Sequence, residues 1–436
     1  MQPELPDRIP SEPAALDPAD LVAGILASGH GRIHPGVLRA ACLGLEKYFP
    51  QLTGMIVVSG VLEEAGDLAL EVSGCRVVVL PACLDAAGAA PFPFHGVPWK
   101  AAALHQLLRV AVHAGARACA VVEGDVHTIT PEWFDLLLRP IVLGGYDWVA
   151  PRYHRHKHDG GITHGLAYPL LRALFGWQVR EPLGGEFAAS ARFIRRLVAE
   201  DDWQRPAIRV TPGLWMTTVA VAESYRVCQS FLGARLRNAA GPVGGLAGML
   251  AQISDSLFRL MEDYESVWRD RRGSRPTDTF GHRFELALEV SPDRADAMAA
   301  AFASACGQLE GVWSEVLLPE TLDAVRQTAS RANNRPFRFE NELWTRIVFE
   351  FAVAHRVRPH QRAWLLPSLA PLYLGWLASF LQETRYLVSS EVEERIEDLC
   401  RCFERDKLDL VQLWTGGSPS YGKALAPSPR PVEVET

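Results

Sequence analysis

Short apolar runs alternate with amphipathic stretches over the first half of the 436-residue chain. Strands are predicted at 21–28, 54–59, 76–80, 117–123 and 147–151, with helices at 34–49, 98–114 and 130–143. Because this alternation is typical of parallel strands joined by crossover helices, it predicts a mostly parallel sheet covered by helices. Ligands of such sheets bind at the carboxyl ends of the strands.

The pattern changes near residue 242, where long amphipathic stretches replace the alternation. Helices are predicted at 245–270, 291–309, 319–330, 340–356, 361–383 and 390–405, and Ser291 and Thr211 are expected to cap the helices that follow them. We therefore expect an α/β domain over 21–241 and an all-helical C-terminal domain over 242–416. The flanking segments 1–20 and 417–436 lack periodicity, so we expect a disordered arm and a disordered tail.

Composition narrows the class of protein further. The chain is 48% hydrophobic and 22% charged, which is typical of a globular protein, and its net charge of −7 comes without the basic block that nucleic acid requires. The stretch 364–381 is barely long enough to span a bilayer and contains two prolines, so we expect a buried core helix and no transmembrane segment.

Eight scattered cysteines and no signal segment favour the cytoplasm. The apolar helices of the second half could hide a dimer interface.

A pair of acids ends one predicted strand. In "VVEGDVHTITPEW" (121–133), Glu123 and Asp125 are two residues apart, so on an extended strand both would project from one face, with His127 continuing it. Such a pair either is solvated or holds a divalent cation such as Mg²⁺ or Mn²⁺. On spacing alone the solvated interpretation is favoured.

Other stretches suit an anionic ligand. Lys100 in "HGVPWKAAAL" lies where a loop enters a helix, so it is either a phosphate contact or a surface lysine. "REPLGGEFAAS" places Glu186 after two glycines, which is either a close backbone approach to a ligand or a plain turn. The basic "YHRHKHDGG" is more typical of a solvated or substrate-facing loop than of a metal site, because its cations repel one another. Arg235 and Arg237 could hold phosphate or stay solvated.

Taken together, these stretches resemble the bacterial family-2-like glycosyltransferases related to the glucosylglycerate and mannosylglycerate synthases. The resemblance covers about residues 21–414 and rests on "HGVPWKAAAL", "ACAVVEGDVHTITPEW", "VAPRYHRHKHDG", "EPLGGEF" and "LWMTTVAVAESYRVCQSFLGARLRNA". It implies a GT-A (Rossmann-like) nucleotide-sugar-binding domain followed by a helical domain. It also implies retaining transfer of a hexose from a nucleoside diphosphate sugar to a small hydroxylated acceptor.

The resemblance also assigns roles to residues. Asp125 matches the second acid of the family's Asp-x-Asp metal motif, with Glu123 in the first place, and Lys100 matches the lysine that meets the donor diphosphate. Within this assignment the metal is Mg²⁺ or Mn²⁺, which neutralises the leaving diphosphate.

Three further residues match the segment beside the donor sugar: Gly184, Gly185 and Glu186. The resemblance makes Glu186 and Asp125 the catalytic carboxylates. Arg237 falls where the family has a metal-binding histidine, so its fixed charge would meet the diphosphate directly.

The chain departs from the family pattern at several positions. Trp99 and Ala101 flank the lysine in place of glycines, and Gly60 and Gly213 stand where carboxylates are expected. Two hypotheses follow. The chain is either an active hexosyltransferase with a modified, less metal-dependent donor site, or a catalytically inactive homologue that binds a partner or a sugar ligand. A dinucleotide-binding dehydrogenase is disfavoured because no G-x-G-x-x-G follows the first strand.

Overall fold

The computed structural model describes residues 17–27, 32–62, 76–80, 100–201, 203–235, 245–282, 294–334 and 336–416. The predicted tail, most of the predicted arm, and the positions of Trp99, Arg237 and Ser291 lie outside these residues.

One large sheet organises the first half of the described chain. The strands are β1 (Leu21–Leu26), β2 (Arg32–Ile33), β3 (Gly54–Ser59), β4 (Val61–Leu62), β5 (Arg76–Leu80), β6 (Ala118–Glu123), β7 (Trp148–His154), β8 (Phe187–Ser190), β9 (Val227–Ala234) and β10 (Thr279–Phe280). Eight of them form a sheet in the order β10-β9-β7-β8-β6-β1-β3-β5, while β2 and β4 pair separately. Strand β8 is antiparallel to both neighbours, and the other pairs of the sheet are parallel.

Helices cover both faces of this sheet and, apart from β10, make up the regular structure of the described second half. Those of the first half are α1 (Pro35–Tyr48), α2 (Lys100–His113), α3 (Pro131–Val142), α4 (Tyr168–Phe175), α5 (Ala191–Val198), α6 (Pro206–Arg209) and α7 (Pro212–Ala222). Those of the second half are α8 (Gly245–Asp263), α9 (Glu265–Trp268), α10 (Ala295–Ser314), α11 (Pro319–Ser330), α12 (Asn341–Val357), α13 (Arg362–Thr384), α14 (Ser389–Arg405) and α15 (Lys407–Trp414). The predicted fold class, an α/β domain followed by a helical C-terminal region, is confirmed.

The strand sequences explain the layering. Every residue of β1 (LVAGIL) and of β6 (ACAVVE) is buried, as expected for parallel strands covered on both faces. Helices α1 and α3 pack on one face. Helix α2 packs on the other, where a Cβ on Gly24 would lie 2.6 Å from Leu107 Cδ1, so the missing side chain lets the helix approach closely. The core on this second face is continuous with that of the helical region.

The longest of the described helices, α13, is a core element. In the described part of the chain, one stretch, 359–384, is long and apolar enough to cross a bilayer, and 67% of its most apolar window is buried inside the protein. Its Tyr373 and Trp376 rings pack against Trp344, and Trp344 Nε1 donates to the Gly165 carbonyl at 2.7 Å. This packing joins the helical region to the sheet domain.

Two local expectations need correction. Thr211 occupies the N-cap position of α7, but its side chain makes no capping bond, because Thr211 Oγ1 donates to the Ala207 carbonyl at 3.2 Å instead. The first two residues of the expected loop "YHRHKHDGG", Tyr153 and His154, are extended, since β7 continues to His154.

Candidate functional site

A cleft opens at the carboxyl end of the parallel strands. Strands β1 and β6 pair so that Leu26 lies opposite Glu123, and both residues line a cavity of about 660 Å³. This volume lies within the range of small-molecule sites, roughly 300–1,000 Å³. Opposite the sheet edge, Met249 of α8 and Leu377 of α13 contribute an apolar wall from the helical region. The cleft therefore combines charged side chains at the sheet edge with apolar side chains from both parts of the chain.

Four charged side chains converge beside this edge. Lys100, at the first turn of α2, donates from Nζ to Glu123 Oε1. Arg235, directly after β9, donates from Nη2 to Glu123 Oε2 at 2.8 Å and from Nε to Glu186 Oε1 at 3.1 Å. The side chains of Lys100, Glu123 and Arg235 are 19%, 5% and 13% exposed, so this network is held largely away from water. Coulombic attraction is strong in such a setting.

Glu186 is the most deeply buried member of this network. It is fully buried, and Tyr153 at the end of β7 donates its hydroxyl to Glu186 Oε2. Burial, together with the neighbouring Glu186 charge, raises the pKa of Tyr153 well above its usual value, so the phenol keeps its proton and donates. Glu186 itself does not line the cleft, and in this arrangement it orients Arg235. Its assigned catalytic role stays a prediction.

Two glycines of the cleft, the predicted Gly185 and the departing Gly213, permit close packing. A Cβ on Gly185 would lie 2.4 Å from Glu123 Oε1, and a Cβ on Gly213 would lie 2.7 Å from the Gly184 carbonyl oxygen. All three glycines line the cleft. The turn 183–185 therefore packs between Glu123 and the first turn of α7. A carboxylate side chain at position 213 would not fit there without movement of the backbone.

Asp125 lies beyond the strand on which it was expected to share a face with Glu123. Strand β6 ends at Glu123, and the chain turns at 124–125, so the alternation of an extended strand stops before Asp125. Asp125 is half-buried and is not one of the described residues that line the cleft.

The described residues do not fit a divalent metal at this position. Both carboxylate oxygens of Glu123 accept hydrogen bonds from cations, Lys100 and Arg235. Among the described residues, no group of three or more His, Cys, Asp or Glu side chains could hold a metal ion. At the predicted Mg²⁺ or Mn²⁺ site, the carboxylate oxygens of Glu123 are thus already bound to cationic side chains and are not open to a metal ion. Arg237 lies outside the described residues.

The cleft is suited to an anion. Of its described lining residues, Lys100, Arg155, Arg235 and Arg294 are cationic and Glu123 alone is anionic. Arginine offers a planar fork of donors that matches phosphate oxygens, and lysine offers a compact charge. The arrangement can hold a polyanionic group at the sheet edge and a neutral group against the apolar wall.

Sequence reasoning found part of this site. It identified Lys100, Glu123 and the two glycines, and it left Arg235 open between a phosphate contact and a solvated residue. It did not find Tyr373, whose hydroxyl is buried at the cleft and has no hydrogen-bond partner in the described chain. Tyr373 lies in an apolar helical stretch, and only the packing of α13 against the sheet domain shows that it faces a ligand site.

Comparison with known proteins gives structural likenesses only. The chain is similar to glucosyl-3-phosphoglycerate synthase from Mycobacterium tuberculosis in complex with Mg²⁺ and uridine diphosphate, with 19% identity, 56% of this chain and 80% of that chain covered, and a TM-score of 0.38. The same enzyme with Mn²⁺, uridine-diphosphate-glucose and phosphoglyceric acid gives 18% identity, the same coverage and a TM-score of 0.35. A further mycobacterial protein gives 20% identity, coverage of 56% and 75%, and a TM-score of 0.36.

No protein-family model matches the chain, and no curated protein does. The low TM-scores mean that these likenesses carry no conclusion about the activity of this chain.

Proposed function

We propose that the chain is a glycosyltransferase of the GT-A type that moves a hexose from a nucleoside diphosphate sugar to a small hydroxylated acceptor, with retention of configuration. The observation that carries this proposal is the cleft at the strand ends, where four cationic side chains and one acid line the described surface. The motif resemblance places the donor diphosphate at the same edge. A nucleoside diphosphate sugar combines an anionic centre with neutral ends. Such a ligand suits a cleft that has both cationic and apolar lining residues.

Each charged side chain of the network has a role in the proposed transfer. Transfer of the sugar leaves negative charge on the departing diphosphate, so fixed positive charges at that point stabilise the transition state. Lys100 and Arg235 supply these charges. Glu123 and Glu186 hold them in place before the ligand arrives, which limits the reorganisation needed during the reaction.

Binding exchanges one set of ion pairs for another. The network formed by Lys100, Arg235, Glu123 and Glu186 is neutral by itself, so a diphosphate must share the N–H donors that the carboxylates now use. Arg155 and Arg294 add two positive charges at the cleft wall. The net attraction for the ligand therefore comes from the whole cleft and does not require a metal.

A non-catalytic role is the second candidate. It is favoured by Gly213, which stands where the resemblance expects a carboxylate, and by Glu123, whose oxygens are both engaged. In this case the same cleft binds a nucleotide sugar without turning it over.

Ligand binding and product release separate these possibilities. Thermal unfolding is measured with UDP-, GDP- and ADP-sugars, in Mn²⁺ and in EDTA. A ligand at about 100 times its dissociation constant adds roughly 2.7 kcal/mol of stability. We expect one of these ligands to stabilise the protein in EDTA, and release of nucleoside diphosphate with a small polyol acceptor to follow. The anomeric configuration of the product, read by NMR, tests retention.

Matched lysine variants locate the site. Lys100→Met should weaken ligand binding at least tenfold, because it removes a charge-assisted contact worth about 1.5–3 kcal/mol. Lys47→Met is the control, since Lys47 pairs with Glu132 at the surface and is 61% exposed. Stabilisation without product release would favour the non-catalytic role. Absence of stabilisation by every nucleotide sugar, or equal loss in both variants, would refute the donor site.

Asp125→Ala tests the metal prediction separately. If binding in Mn²⁺ and in EDTA is the same as in the unchanged protein, Asp125 has no metal role. If only the Mn²⁺ enhancement is lost, the motif assignment holds in spite of the turn at 124–125.

A further inference from the structure

A second, smaller cavity lies between the sheet domain and helix α14. Its volume is about 60 Å³, and it is enclosed by the segment that follows the buried part of β7, by the turn 180–181 and by the first turns of α14. The lining residues are Arg152, Tyr153, His154, Arg155, His156, Lys157, His164, Arg180, Glu181, Phe231, Ser389, Val392 and Glu393. The proposed donor site does not use this cavity, although Arg155 lines both.

Three N–H donors around this cavity are buried and have no acceptor in the described part of the chain. They are Arg180 Nη1, Arg155 Nε and His156 Nε2. Arg180 is 6% exposed, and its Nε and Nη2 donate to Glu393 at 3.2 and 3.0 Å. Its Nη1 has no acceptor among the described residues. Buried donors are rarely left unsatisfied in proteins, since each costs about as much as a lost hydrogen bond.

The tautomer of His156 makes its ring a donor to the cavity. Its Nδ1 accepts from the backbone N–H of His158 at 3.3 Å, so a neutral ring carries its proton on Nε2. Arg155 is likewise only partly satisfied, because Nη2 donates to Glu181 at 3.0 Å while Nε has no acceptor. Three different residues thus present unused donors to one small volume.

The charge around the cavity is also unbalanced. Arg152, Arg155, Lys157 and Arg180 are cationic, and Glu181 and Glu393 are the acids among the described lining residues, which leaves an excess of two positive charges. Burial raises the pKa of Glu181, but Arg155, His164 and Arg180 outweigh it and lower the pKa to about 2, so this carboxylate already counts as charged. Lys157 Nζ is satisfied by three backbone carbonyls, those of Thr384, Arg385 and Leu387.

The size of the cavity restricts what can supply the missing acceptors. A volume of about 60 Å³ is several times the roughly 10–15 Å³ that a single water molecule needs, so the cavity has room for more than one water or for one small oxyanion. Water could satisfy the donors, but a bound anion would also compensate part of the excess positive charge of the lining residues.

We propose that this cavity binds one phosphate-type oxyanion, which accepts hydrogen bonds from Arg155, His156 and Arg180. The anion is either free phosphate or the phosphate group of a larger molecule that enters past Arg155 from the main cleft. In both cases it bridges the basic segment 152–157 and Arg180, whose guanidinium donates to Glu393 of α14.

Phosphate titration of the full chain tests this site. Inorganic phosphate and a glycerol phosphate monoester are titrated in parallel at constant ionic strength, and binding is followed by calorimetry and by Tm. We expect saturable binding of at least one of them, with a rise in Tm. Tighter binding of the monoester by about tenfold identifies the phosphate as part of a larger molecule, and equal binding identifies the free anion; either result supports the site.

Conservative variants keep the ion pairs intact while removing the unused donors. Arg180→Lys, Arg155→Lys and His156→Phe should each weaken phosphate binding about tenfold, since each removes one hydrogen bond to a charged group. Arg395→Met is the control, because it removes a positive charge from α14 that is 52% exposed and pairs with Asp398. It should leave phosphate binding unchanged.

Two outcomes would overturn the proposal. One is the absence of saturable binding, which leaves buried water in the cavity. The other is equal binding by the unchanged protein and all three donor variants, which marks an adventitious ion only. Neither outcome depends on a nucleotide sugar, so the proposed donor site stands or falls separately.

Discussion

Neutralising Glu181 should lower the stability of the protein by a calculable and pH-dependent amount. Glu181 is 4% exposed, and its Oε2 accepts from Arg155 Nη2 at 3.0 Å while its Oε1 lies 4.0 Å from His164 Nε2. Burial alone would raise its pKa, but the positive charges of Arg155 and Arg180 and the contact with His164 lower the pKa from 4.5 to about 2. The folded protein therefore favours the charged carboxylate more than the unfolded chain does.

The size of the effect follows from proton linkage. Each unit of pKa difference corresponds to 1.36 kcal/mol, so ionised Glu181 contributes about 3 kcal/mol at about pH 7. Because the folded pKa is depressed, this contribution is complete above a pH of about 4.5 and is lost as the pH falls through about 2. About 1.4 kcal/mol of it is gone by roughly pH 3.5.

Glu181→Gln isolates this contribution, because the amide keeps the shape and cannot ionise. Urea unfolding followed by circular dichroism should give a difference from the unchanged protein of about 3 kcal/mol near pH 7 and about 2 kcal/mol near pH 3.5. Glu310→Gln is the control, since its pair with Arg326 is exposed and should matter little. A difference that stays constant with pH, or that is below about 1 kcal/mol near pH 7, would refute the ion-pair account.

Three further perturbations test other parts of the structure. Burial raises the pKa of Glu350 to about 8, so the unchanged protein should lose stability as the pH rises from about 4.5 through 8, whereas Glu350→Gln should not; urea unfolding across this range checks the sign. Gly213→Ala should lower the free energy of unfolding by about 1–3 kcal/mol, because the new Cβ would lie 2.7 Å from the Gly184 carbonyl oxygen, and an unchanged Tm would contradict the close packing. Gly307→Ala should instead add about 0.5–1 kcal/mol, since nothing lies within 4 Å of a Cβ in the middle of α10, and a lower Tm would count against this local geometry.

The parts of the fold that the sequence predicts are those with a strong local pattern. Strands β1, β3, β5 and β6 are continuous apolar runs, and their helices have clear apolar faces, so both could be recognised without tertiary information. Strand β8, with the sequence FAAS, is too short and too plain to show a period. Its position between β6 and β7 depends on long-range pairing that no local window contains.

The candidate site shows the same limit at the level of side chains. Lys100 and Glu123 could be found because a helix start and a strand end meet at a predictable edge of the sheet. The triad of Tyr153, Glu186 and Arg235 could not, because the three residues come from the ends of three different strands whose order only the folded sheet defines. The prediction that Asp125 shares a face with Glu123 extended the alternation beyond the last residue of the strand.

Strand β10 has a consequence for how the chain can be divided. Thr279–Phe280 follows two helices of the second half, yet it pairs with Gln229 and Ser230 and so completes the sheet at the side of β9. An expression fragment that stopped near residue 241 would uncover the backbone donors and acceptors along β9, and a bare strand of this kind invites pairing between molecules. The smallest independently produced unit should therefore extend at least past Phe280.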